Sequence, residues 1–341
     1  MIKNKIIKTS SLAAIVILLF LLPTILSGNQ YYLSVLTLLI INILLVSSLR
    51  SVTLIDQISL GQIGFALIGA YSSALLMMKA HLPFWPAMVI SGLIAATVAF
   101  VLGYPFLKVK GIYFSILTLL TAETIRLVAF YWTGFTGGTQ GLIGIPSPEP
   151  MTLPFLGIVK FNTINNYYYI VLFVVLLCLL ITYLIEHSHI NFKWRAIKDA
   201  DELANSVGIN VMWYKIVNFT IASFFAGISG SLFAHFQHNL SVDINSRFAT
   251  TTSIYLLVYM VVGGLKSFSG PIIGTAILVF LAEISRPMQA YQPIIIGIIA
   301  ILVVLFMPYG LTGIPSQVRE WIRVRRNSKI FTQIIKKVKR E

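Results

Sequence analysis

Acidic residues are scarce in this chain, with 11 Asp and Glu against 25 Lys and Arg in 341 residues. Charged residues of both signs make up only 11%, where a soluble domain carries about 25%. With 57% hydrophobic residues, a water-soluble fold of this length would lack the polar surface to cover itself. That excludes a soluble enzyme and points to an integral membrane protein. Cysteine is nearly missing as well. Cys178 is the single one and stands in an apolar run, so disulfides and cysteine-based metal sites are excluded. The chain shows no G-x-x-x-x-G-K-[ST] loop, no His-Glu-x-x-His and no G-x-S-x-G elbow, hence no catalytic constellation, resident metal or cofactor is expected. His235 and His238 are spaced i, i+3 without a set of carboxylates and read as interfacial polar residues rather than metal ligands. If the chain takes part in active pumping, the energy comes from another subunit.

What the chain has in abundance is long apolar runs. Against a requirement of about 20 residues per span, candidates fall at 11–27, 32–49, 58–78, 84–107, 111–131, 166–186, 214–237, 250–265, 271–285 and 293–308. The expected fold is an all-α polytopic membrane helix bundle of about ten transmembrane helices. The last three runs are short or broken by glycine. The first, preceded by Lys3, Lys5 and Lys8, reads as a retained anchor rather than a cleaved signal.

Positive charge sets the orientation. With both termini cytoplasmic, twenty of the 25 Lys and Arg face inward. Only Lys79, Lys160, Arg247 and Arg286 face outward, and Arg126 lies within a span. The expected domains are one permease domain over residues 1–318 and a basic cytoplasmic tail over 319–341. The tail is explained by anionic lipid at the inner surface. Nucleic-acid binding is not expected, since no aromatic interleaving or folded module accompanies it.

Several stretches carry more than an anchor needs. The polar segment within 187–213 has Ala196, Ile197, Ala200, Leu203, Ala204 and Val207 on one helical face, with Arg195, Lys198 and Asp199 opposite. Gly208 stands where a C-cap glycine belongs. Such a short amphipathic helix either docks a partner or lies on its own protein or on lipid. The loop 132–165 is rich in glycine and low in charge, which favours a packed cap or re-entrant turn. Small residues in Ser59–Tyr71 permit close helix approach or a break facing a cavity. In the fifth run Glu123 lies roughly 18 Å along the helix from Gly111, near or beyond the bilayer middle. It can form an intramembrane ion pair with Arg126 at i, i+3.

The order of these motifs resembles the LivM-type permease subunits of branched-chain amino acid ABC importers over roughly residues 30–315. The resemblance is carried by Ser59-Leu-Gly-Gln-Ile-Gly-Phe65, Gly111-Ile-Tyr-Phe-Ser115, Thr136-Gly-Gly-Thr-Gln-Gly-Leu142 and Arg195-Ala-Ile-Lys-Asp199 with Gly208-Ile-Asn210. Ala226-Gly227, Gly263-Gly264 and Met307-Pro-Tyr-Gly-Leu-Thr-Gly313 complete it. Two positions depart: Gln62 stands where the pattern often has histidine, and Lys266 where a small residue is common. They bear on the solute more than on the fold. The resemblance implies a second, homologous permease subunit, two cytoplasmic ATP-binding subunits and an extracytoplasmic solute-binding protein, all at the inner membrane.

Residues 194–208 would then be the coupling helix, its apolar face packed in an ATPase groove, with Arg195, Lys198 and Asp199 at the rim. Ser59, Gln62, Tyr113, Ser115 and Thr118 would line the translocation pathway, since a zwitterion with an aliphatic side chain needs a few polar groups in an apolar passage. Thr136, Gly137, Gly138, Thr139 and Gln140 would gate the outer mouth. Two alternatives stay open at this point: urea or a short amide as cargo, and a self-sufficient secondary transporter, which calls for intramembrane ion-coupling carboxylates.

Overall fold

The computed structural model describes residues 19–24, 29–153, 157–159, 163–243, 246–307 and 310–313. Residues 11–18 and 25–27 of the first candidate span and the tail 319–341 lie outside them, while 19–24 are helical. The chain divides into two compact units, Met1–Leu256 and Leu257–Glu341.

In the first unit α1 (Gln30–Val52) continues into the 3-10 turn Thr53–Ile55. Then come α2 (Gln62–Ala80), α3 (Phe84–Phe106), α4 (Ile112–Tyr131) and α5 (Ile164–Glu186). Two short polar helices, α6 (His189–Asp199) and α7 (Asp201–Ser206), lead into α8 (Val211–Gln237). The six helices α1–α5 and α8 are long and apolar enough to cross a membrane. Helices satisfy their own backbone groups, so an apolar run of that length forms one in lipid. The chain is thus an all-α, multi-pass membrane protein. Residues 132–153 and 157–159, between α4 and α5, lie at one end of the bundle, the loop side, and the polar segment 187–210 lies at the other, the segment side.

Helix α9 (Thr250–Gly263) spans the division between the units, and α10 (Gly270–Ile284) and α11 (Gln292–Phe306) belong to the second. These three are apolar but of 14 and 15 residues, short of a full crossing. In the second unit Thr312 donates to the Gly263 carbonyl at 2.9 Å. A Cβ on Gly310 would stand 2.5 Å from the Gly264 Cα, so glycines let the end of the segment close on α9.

The core of the first unit is built on α8, which is buried over most of its length against α1, α2 and α3. Small residues make the crossings possible. Gly69 faces the backbone of Gly227, Gly230 faces that of Ala66, and Gly92 lies against Phe224 and Ile228. Phe219 takes the edge of both Phe65 and Phe114 at 5.4 and 5.9 Å between centroids. On the segment side buried Arg50 of α1 and half-buried Glu186 of α5 form a two-point ion pair, with the second hydrogen bond at 3.2 Å. Helix α4 is the least buried of the six.

The third candidate run begins later than expected. Residues 56–61 are not helical, because Asp56 turns left-handed at φ 58° and α2 starts only at Gln62.

Candidate functional site: a helix break, a seam and a polar segment

The break 56–61 is held to α4 by two side chains singled out from the sequence, Ser115 and Thr118, and braced within itself by a third, Ser59. Ser115 donates to the Ile58 carbonyl at 2.6 Å. Thr118 accepts from the Leu60 amide at 3.1 Å, and Ser59 accepts from the Gly61 amide at 3.2 Å. A Cβ on Gly61 would come within 2.8 Å of the Thr118 carbonyl oxygen, and one on Gly64 within 2.8 Å of the Ala122 Cα. Glycine at both positions therefore closes α2 on α4 as a seam. Two glutamines on this stretch are treated differently. Gln62 is 0% and Gln57 3% exposed, yet among the described residues both side-chain polar atoms of Gln62 and the Gln57 Oε1 have no hydrogen-bond partner. Each such atom costs about 1–3 kcal/mol. Tyr113 is not part of the group; it is 71% exposed.

Toward the loop side the seam opens. A cavity of about 520 Å³ lies between α2, α3 and α4, walled by Leu67, Tyr71, Leu75, Ile125, Val128 and Trp132. Sequence reasoning missed it, since leucine and isoleucine on a helix face look the same whether they pack or line a void.

Near the loop-side end of α4, Glu123 and Arg126 form an ion pair at 2.5 and 3.0 Å. Arg126 also donates to the Val242 carbonyl at 2.5 Å, and Thr250 donates to Glu123 at 2.7 Å. The pair ties α4 to Val242 and Thr250.

The glycine-rich loop is packed. Thr136 closes a helical turn by donating to the Ala129 and Trp132 carbonyls at 2.5 and 2.6 Å. Gly137 and Gly138 follow at φ 78° and 58°, a conformation glycine adopts without strain. Thr139 and Gln140 are exposed at the tip. Leu142–Ile143 then pairs antiparallel with Asn239–Leu240, and Met151–Leu153 with Gly157–Val159. Here the reading of His235 as interfacial is corrected. It is fully buried, and its Nδ1 meets the Pro146 carbonyl at 2.9 Å. Since a carbonyl only accepts, Nδ1 carries the proton, and Nε2 accepts from Ser73 at 2.8 Å. Ser73 accepts in turn from Ser231 at 2.7 Å. The histidine pins the loop to α2 and α8. His238, at φ 58°, meets the Ile145 carbonyl at 2.9 Å.

The expected single helix over 194–208 is two. Ala200 is extended at φ −161°, ψ 99°, and the chain restarts with Asp201 and Glu202 in the first turn of α7, where acids favour a helix N-terminus. Gly208 does end α7, left-handed at φ 85°, with the Ile209 amide on the Ala204 carbonyl at 3.1 Å. The break divides the apolar face that was expected to meet a partner. Trp194, Ile197 and Ala204 are buried in the chain's own bundle, and Ala196 is half-buried. Leu203 and Val207 are 70% and 76% exposed, and Arg195, Lys198 and Asp199 are exposed with them.

The segment is anchored at several points. Trp194 Nε1 donates to the Tyr214 carbonyl at 3.0 Å, and Lys198 Nζ donates to that of Thr53 at 3.0 Å. Asp201 Oδ2 takes Lys215 at 2.7 Å and Lys110 at 2.9 Å, joining α7, α8 and the turn before α4. Burial pushes the Asp201 carboxyl up, but hydrogen bonds from Lys215 and Lys110, together with their charges, outweigh it and hold it below the usual aspartate range. The hydrogen bond and charge of Asp201 hold Lys110 above the usual lysine value. A carboxyl depressed in the folded state contributes stability above its unfolded value of about 3.9 and loses it as pH falls through the folded one. The joint is thus fully formed at neutral pH. Asp201→Asn is expected to cost about 1–3 kcal/mol by leaving buried Lys215 without its counter-charge, and to speed trypsin cleavage after Arg195 in folded protein. An unchanged cleavage rate would mean that the joint does not hold the segment.

Residues 31–307 match the family model described as branched-chain amino acid transport system / permease component. The chain is 31% identical over 269 residues to the high-affinity branched-chain amino acid transport system permease protein LivM of Escherichia coli (strain K12), covering 74% of this chain and 63% of that protein. It is 30% identical to LivM of Salmonella typhimurium with the same coverage. To the protein named "Probable branched-chain amino acid transport permease protein LivH" of Methanocaldococcus jannaschii it is 24% identical over 281 residues, 77% of this chain and 83% of the other. The chain thus spans less than two thirds of the length of the LivM relatives. No solved structure matches.

Proposed function

The chain belongs to the branched-chain amino acid transport permease family, and on that premise we propose that it is a permease subunit of an ATP-driven importer of branched-chain amino acids. A second permease subunit completes the pathway, two ATP-binding subunits drive it from the cytoplasm, and an extracytoplasmic binding protein delivers the solute. Residues 1–318 act as one permease domain with ten spans in the inner membrane, and both ends face the cytoplasm. The solute crosses without covalent change. Ser59, Gln62, Ser115 and Thr118 line the passage, and the turn Thr136–Gln140 meets the binding protein or gates the outer mouth.

The observation that carries this reading is the polar segment. It is bound from beneath by Trp194, Lys198 and Asp201 to the turn after α1, to the start of α8 and to the turn before α4. Outward it presents Leu203, Val207 and Arg195. An exposed apolar pair at i, i+4, with an exposed cation on the preceding helix, suits a groove on an ATPase. A push on the segment would reach three membrane helices at once. Ile197 and Ala204 take part from the inner side, as the packing that keeps the segment seated.

The test follows from that division of faces. Arg195→Glu with Leu203→Asp changes only exposed residues, so insertion and thermal stability should stay at wild-type values. In the reconstituted importer, leucine uptake should fall at least about tenfold while ATP hydrolysis persists, the loss of roughly 1.4 kcal/mol or more at the contact. Uptake that stays coupled in this variant would rule the segment out as the coupling element.

A further inference from the structure

The two unpartnered glutamines stand out from their surroundings. Ser59 on the break, and Ser115 and Thr118 facing it from α4, are all hydrogen-bonded, so the local fold can satisfy polar side chains. Gln57 and Gln62 are buried, yet the Gln57 Oε1 and both polar atoms of Gln62 find no partner among the described residues. An apolar side chain of similar shape would fold there at no such penalty. Groups that burden the fold at a helix break, with a cavity further along α2 from Leu67 onward, are what a solute site looks like before the solute is in it.

We infer that the Gln57 and Gln62 amides are the handhold for the two charged ends of a zwitterionic amino acid, and that the break 56–61 is the part that moves to admit it; this rests on the transport reading above. An amide carries two donor hydrogens and a carbonyl acceptor. The Gln62 amide nitrogen donates to the solute carboxylate, and the Gln57 Oε1 accepts from the solute ammonium. The assignment of ends follows from position. Gln62 is the first residue of α2, where the helix end is positive and favours the carboxylate. Neither side chain is charged, so the site recognises a zwitterion without holding it too tightly to release. The aliphatic side chain needs no polar partner and passes along the apolar cavity on the loop side of the seam.

The break is also wired to the polar segment. Lys198 holds the carbonyl of Thr53, three residues before the left-handed Asp56. Ser115 and Thr118 hold Ile58 and Leu60 to α4 at its far end. A displacement of α6 therefore pulls directly on the stretch that seals both amides. The buried glutamines become reachable when the break hinges at Asp56 and Gly61.

The experiment uses the whole importer in liposomes, with radiolabelled leucine outside and ATP inside, for wild type, Gln62→Met and Gln57→Met. Methionine keeps the length of the side chain and removes the amide. Leucine uptake should fall about tenfold or more in each variant, as expected for a lost hydrogen bond to a charged group. ATP hydrolysis should remain, and the unfolding midpoint should stay or rise. That combination separates a solute contact from a structural one, because a structural role lowers the midpoint together with uptake. Wild-type uptake in both methionine variants, or a midpoint that falls with uptake, would overturn this inference alone. A wild-type complex that moves none of leucine, isoleucine and valine would overturn the transport reading and this inference with it.

Discussion

Replacing Glu186 by glutamine is expected to destabilise the protein by roughly 3–5 kcal/mol, since it leaves a buried guanidinium without its carboxylate. Arg50 is buried and the Glu186 side chain is nearly so, and two hydrogen bonds join them across α1 and α5. The pair need not be worth that much itself. Bringing two ions out of water costs nearly as much as their attraction returns, so the large effect comes from breaking the pair. This yields a sharper expectation. The double variant Arg50→Met with Glu186→Leu should recover most of the lost stability, while either single change does not. Thermal unfolding of the four proteins in one detergent forms the cycle. Additive losses would mean that the two residues do not act as a pair.

Gly230→Val should be the most disruptive single change within the helix core. A Cβ at this position would overlap the carbonyl group of Ala66 across the α2–α8 crossing. A helix backbone cannot step aside as a side-chain tip can, so the crossing itself has to open. The cost belongs at or above the upper end of overpacking, about 3 kcal/mol or more. Gly134→Ala makes the control, because nothing among the described residues lies within 4 Å of a Cβ built there; it should remain within about 0.5 kcal/mol of wild type. The yield of monodisperse protein and the unfolding midpoint read both. A Gly230→Val protein as stable as Gly134→Ala would show that α2 and α8 do not meet at this glycine.

These expectations draw on different kinds of information. Membrane class, the approximate positions of the described helices and the family motifs were legible in the residues alone. A helix in lipid satisfies its backbone within itself, so apolar length is a local property and can be read locally. Glu123 and Arg126, three residues apart, could likewise be paired from helical spacing. The Arg50–Glu186 pair could not, since it joins residues 136 positions apart. Nothing in the sequence near either residue points to the other.

The polar segment shows the limit most clearly. Its periodicity correctly indicated a helical, amphipathic stretch ending at Gly208. The same periodicity placed Ala204 and Leu203 on one face, whereas the structure buries Ala204 and exposes Leu203. The reason is the extended Ala200, beyond which Asp201 is drawn to Lys215 and Lys110. Both lysines lie outside the segment, Lys110 far back in the chain and Lys215 on the next helix, and no pattern within the segment reports them. His235 was misread for the same reason: its partners Ser73 and Pro146 come from other elements. Composition and apolar length, being local, were determined by the sequence itself. Which face meets which neighbour, where a seam closes and which amides are left without partners were decided only by the tertiary structure, because those are relations between distant parts of the chain.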